Sequence, residues 1–120
     1  MLKIDKALIL VNSIVESRVI AGYNIGITCN PKSRRQSYRG VRYEHFAIID
    51  FELSASKALK LEKALYEELT ADARTASCRK YRKNAKGTSH RPSLGGKELA
   101  NNDLKYHVYV AWWNTGSPGY

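Results

Sequence analysis

Arg34 and Tyr38 stand four residues apart in NPKSRRQSYRG (30–40), and Glu62 interrupts the apolar positions of SASKALKLEKALYEEL (54–69). If residues 31–39 are helical, Arg34 and Tyr38 share a face. A guanidinium holds two oxygens of one phosphate in its planar fork, and a phenol beside it can donate or accept a proton. At about 100° per residue, Ala58, Leu61, Leu65 and Leu69 gather on one side of the second segment. Lys57, Lys60, Lys63, Glu67 and Glu68 turn to the other. Glu62 falls near the middle of the apolar stripe. A carboxylate there must be solvated in a cleft, paired with a cation, or bound to a metal, because an unpaired buried charge is costly. A structural ion pair and a catalytic or metal-binding carboxylate both meet that requirement.

These residues need elements to hold them. Asn30 can cap a helix and Pro31 suits its first turn, so residues 31–39 read as a short helix closed by Gly40. Upstream, RVIAGYNIGIT (18–28) is rich in β-branched and aromatic residues and reads as a strand. HFAIIDFEL (45–53) has the apolar density of a buried strand. Ser54 or Ser56 can cap the helix that ends near Leu69. YHVYVAWW (106–113) reads as a further strand, with at least one of Trp112 and Trp113 in the core. The amino-terminal stretch around ALILV (7–11) leaves two readings open: an amphipathic helix from Asp5 to about Val19, or a hairpin. The expected fold class is α/β (α+β), one domain over residues 1–120, with a small central β-sheet flanked by helices.

The charge balance limits the partner. Twenty Lys and Arg against eleven Asp and Glu give a net charge of +9. An excess of that size on a small domain favours a polyanion, nucleic acid first and an anionic membrane surface second. Residues 71–97 carry eight Lys or Arg against one Asp, and read as a long basic loop or a loop with a short helical start. No run approaches the roughly 18 apolar residues of a membrane span. Cys29 and Cys78 show no metal-type pairing, which points to a reduced, cytoplasmic setting.

N-I-G (24–26), Arg34, Tyr38 and E-K-A-L (62–65) follow one another in an order that resembles the GIY-YIG nuclease superfamily, in particular its small phage and restriction-enzyme branches. The resemblance covers roughly residues 7–70. It implies a metal-dependent DNA endonuclease that hydrolyses phosphodiester bonds, acting in the host-cell cytoplasm if phage-encoded. Arg34 would clamp the scissile phosphate, Tyr38 would help position or activate water, and Glu62 would hold one divalent cation, Mg²⁺. Asn84 would be the polar residue after the Glu helix. Arg35, Arg39, Arg79, Lys80, Arg82 and Lys83 would bind the nucleic acid, expected to be DNA, with a homo-oligomer implied if both strands are cut.

Two positions depart from the family pattern. ALILV offers no tyrosine, and Asn24 stands where the family has Tyr or Lys, with Tyr23 one place earlier. Strand alternation turns Tyr23 and Asn24 to opposite faces unless a bulge intervenes. YHVYV resembles the family's tyrosine-bearing strand displaced to the carboxyl terminus, which would bring Tyr109 or Tyr106 into the sheet beside residues 22–28. The alternative is a catalytically degenerate domain of the same fold that binds nucleic acid or a nucleotide, or inhibits a host factor, without cleavage.

Overall fold

The computed structural model describes residues 2–39, 44–81 and 104–115, with all side chains in those ranges except Tyr38 and Arg39. Chain order is α1 (Ile4–Val15), β1 (Ile20–Thr28), α2 (Pro31–Arg39), β2 (His45–Leu53), α3 (Ala55–Leu69), α4 (Ala76–Lys80) and β3 (Tyr106–Asn114). The fold is α+β around an antiparallel sheet of order β1-β3-β2. The last strand therefore lies between the first two.

The amino-terminal segment is a helix. Ala7, Val11 and Val15 recur every four residues and are all buried, so the chain gains a continuous core-facing stripe. That gain outweighs the β preference of the branched side chains. At its far end, the Lys80 ammonium donates to the carbonyls of Val15 (2.7 Å) and Ser17 (2.8 Å). Carbonyls at a helix C-terminus lack intrahelical donors, and a cation there also favours the helix dipole.

Helix α3 begins where the capping pattern places it. The Ser54 hydroxyl accepts from the Lys57 amide at 3.3 Å. Ala58, Leu61, Leu65 and Leu69 are buried with α1's stripe, with Tyr23, Ile25 and Ile27 of β1, and with Val108 and Val110 of β3. Each fully buried leucine contributes roughly 2 kcal/mol. Helix α4 is the short helical start of the basic segment, capped by the Thr75 hydroxyl on Cys78.

Strand β2 departs from the buried-strand reading of 45–53. It is an outer strand, seven of whose nine residues are half-exposed or exposed, and Phe51 is 63% exposed. Its ladder with β3 slips between Ile48 and Asp50 and again before Leu53, where Glu52 adopts a φ of 56°. Such irregularities bend an edge and spoil it for further pairing. The Asp50 carboxylate accepts from the Leu2 amide at 2.6 Å, tying the chain's start to this edge.

The sheet has a second buried face. Ladder partners share a face, so Gly22, Asn24, Gly26 and Thr28 of β1 lie with Trp113, Ala111, Tyr109 and His107 of β3. Asn24, Thr28, Tyr109, Ala111 and Trp113 are all buried. A Cβ at Gly22 would overlap the Trp113 ring, and one at Gly26 would overlap the Tyr109 phenol. Both glycines are required by that close approach.

Candidate nucleic-acid interface

Helix α2 grows directly from the end of β1. The Thr28 hydroxyl accepts from the Asn30 amide (3.0 Å), and the Asn30 side chain accepts from the Ser33 amide (3.1 Å). This Asn cap, with proline in the first turn, starts the helix as the residue pattern predicts. Four of its nine residues are Lys or Arg and none is acidic. Lys32, Arg34 and Arg35 are exposed, and none of the three forms an ion pair with a described residue. Positions 34 and 38 lie one turn apart, as the spacing requires. The Tyr38 and Arg39 side chains lie outside what is described.

The other proposed site residues are distributed differently. Glu62 is 0% exposed and belongs to the buried face of α3, where the helical projection places it. It engages a neighbour, and sits among the buried side chains of its own stripe. Tyr23 faces the helices. Its hydroxyl donates to the Ser77 carbonyl at 2.7 Å, and its ring meets Tyr81 edge-on at 5.2 Å. Burial, and then the neighbouring Tyr81 and Cys78, push its pKa well above the ordinary phenol range.

Tyr109 faces the opposite way. It pairs with Gly26 across the β1–β3 ladder, and its ring stacks on Phe46 with centroids 4.7 Å apart. Tyr106 pairs with Leu53 at the other ladder and faces the helix-side core. The sheet thus brings a carboxyl-terminal tyrosine beside residues 22–28, yet keeps Tyr109 and Tyr23 on different faces. Strand alternation held, and no bulge turns Tyr23 toward Gly26.

The basic segment divides. Lys80 caps α1, and loss of hydration followed by the nearby Arg79 lowers its pKa, with Glu16 opposing. The Arg79 guanidinium donates to the Arg74 carbonyl. Arg74 in turn holds Asp72 at 3.1 Å, which lowers the Asp72 pKa through that side-chain hydrogen bond first. Arg82, Lys83 and Asn84 lie outside the described residues. Sequence reasoning missed the structural duty of Lys80, because its acceptors lie more than sixty positions away.

Glu62 supplies an oxygen donor of the kind Mg²⁺ takes, but its placement does not fit that ion. Mg²⁺ keeps several waters when a protein binds it, and a wholly enclosed carboxylate leaves them no room. Among the described residues, no group of three His, Cys, Asp or Glu side chains gathers to hold a metal. No helix among them is long and apolar enough to cross a membrane. Comparison of the chain with protein-family models, curated proteins and solved structures finds no match.

Proposed function

We propose that the protein binds nucleic acid through α2, as a GIY-YIG-like domain that grips phosphate without cutting it. The exposure of Lys32, Arg34 and Arg35 on one acid-free helix carries this reading. A net charge of +9 supports it, since each phosphate neutralised releases condensed counterions. The capped start of α2 adds a favourable end of the helix dipole for an anion. The buried state of Glu62 and the separation of Tyr23 from Tyr109 argue for binding without chemistry.

A second reading, phosphodiester cleavage, is favoured by one observation. Tyr109 occupies the strand position opposite Gly26, and β1 leads from that glycine straight into the helix bearing Arg34. DNA is the expected substrate.

One comparison separates the two. Plasmid DNA is incubated with Mg²⁺ and wild-type protein, Arg34→Ala, or Glu62→Gln, and binding is measured in parallel. The binding reading expects salt-sensitive association, no nicking, and full association for Glu62→Gln. Magnesium-dependent nicking that disappears in both variants would replace it with the cleavage reading.

A further inference from the structure

Tyr23, Trp112 and His45 form one row across the helix-bearing face of the sheet, one residue from each strand. Their exposure rises outward. Tyr23 is closed off by α4 and Tyr81, Trp112 is half-buried, and the His45 side chain is 42% exposed. Trp112 and His45 are stacked, with centroids 5.4 Å apart and planes 23° from parallel. The Asn114 amide lies 3.3 Å from His45 Nε2, and the Glu44 carboxylate lies 3.8 Å from the same nitrogen. His45 opens an outer strand, and no described strand lies beyond it.

We infer that the stacked His45–Trp112 pair is a base-stacking subsite for single-stranded nucleic acid. A nucleobase adds to the outer face of the imidazole and extends the two-ring stack. This inference rests on the proposed phosphate-gripping role of α2, and it names the kind of strand that α2 receives. Every base has a π-face, so the contact tolerates sequence, and a paired base in a duplex cannot reach it. Asn114 and Glu44 offer a donor and an acceptor at the rim of the stack.

The placement suits one continuous ligand. Six chain steps separate the last residue of α2, Arg39, from His45, so the helix end lies within about 21 Å of the stack. Exposed Arg18 precedes β1 at the same end of the sheet, where the Val19 carbonyl accepts from Thr115 at 2.7 Å beside Asn114. A phosphate chain along α2 can therefore deliver a base to His45.

Two probes test the subsite apart from the helix. Adenosine carries no phosphate, and its titration is followed through the His45 ring protons by NMR. A saturable upfield shift is expected, and an unmoved His45 ring overturns the subsite. A short oligothymidylate and a duplex of equal length are then bound to wild type, His45→Ala, His45→Phe and the triple Ala variant of Lys32, Arg34 and Arg35. His45→Ala should weaken single-strand binding about 5- to 100-fold, leave duplex binding and the salt slope unchanged, and be rescued by His45→Phe. Equal single-strand affinity for His45→Ala and wild type contradicts the subsite. An unchanged slope in the triple variant, with the His45 effects intact, instead overturns the role of α2.

Discussion

Tyr109 and Gly26 face each other across the β1–β3 ladder, and the phenol of one fills the space a side chain on the other would need. Gly26→Ala should therefore destabilise the fold by about 1–3 kcal/mol, as overpacking does in a close-packed site. The urea midpoint reads the loss. In a Tyr109→Ala background the added penalty of Gly26→Ala should shrink sharply, because the clashing atoms are gone. Equal penalties in the two backgrounds would mean that the ring is not held over the glycine.

Tyr23 makes the fold sensitive to alkali. Its folded pKa is raised, chiefly by burial, while the unfolded chain titrates near the ordinary value of about 10. Above that pH the folded state holds more protons than the unfolded one, so stability falls as pH rises. The stabilisation is fully present below about pH 10 and is lost toward the folded pKa. Melting temperatures measured through this range should drop less steeply for Tyr23→Phe. That variant should also start about 1 kcal/mol lower, through loss of the hydrogen bond to Ser77.

Magnesium should leave the fold's stability unchanged. A cation bound to the native state alone raises the melting temperature by mass action. The enclosure of Glu62 predicts no such rise on adding Mg²⁺. A concentration-dependent rise that vanishes in Glu62→Gln would establish a metal site at this carboxylate.

Lys80 holds the end of α1. Lys80→Met keeps much of the side chain's apolar length but removes both donors to Val15 and Ser17, and should cost about 1 kcal/mol. Amide exchange in the last turn of α1 should quicken more than exchange in β3. Nucleic-acid affinity should barely change, since this ammonium is engaged within the protein. A loss of affinity as large as that of an α2 variant would return Lys80 to the binding surface.

Helix α3 was readable because every signal lay within a few residues: Ser54 for the cap, the four-residue apolar spacing, and Glu62 caught inside it. Asn30 and Pro31 announced α2 in the same local way. Alternation along β1 also placed Tyr23 opposite to Asn24. Its acceptor, Ser77, lies 54 residues away and left no trace in the local pattern. The insertion of β3 between β1 and β2 is likewise a long-range outcome. ALILV left a helix and a hairpin open, because the segment is too short for its periodicity to decide, and packing in one core with α3 settled it as a helix. Apolar density in β2 suggested a buried strand, but density does not distinguish a central strand from an edge.

The salt dependence of duplex DNA affinity, for wild type and the triple Ala variant of Lys32, Arg34 and Arg35, tests the central claim most directly. Each phosphate contact contributes about 0.9 to the slope of log affinity against log salt. The account predicts a slope shallower by up to about 2.7 in the variant, with much weaker binding at low salt. A variant that binds as tightly as wild type, with the same slope, would contradict the assignment of α2 as the phosphate-gripping element.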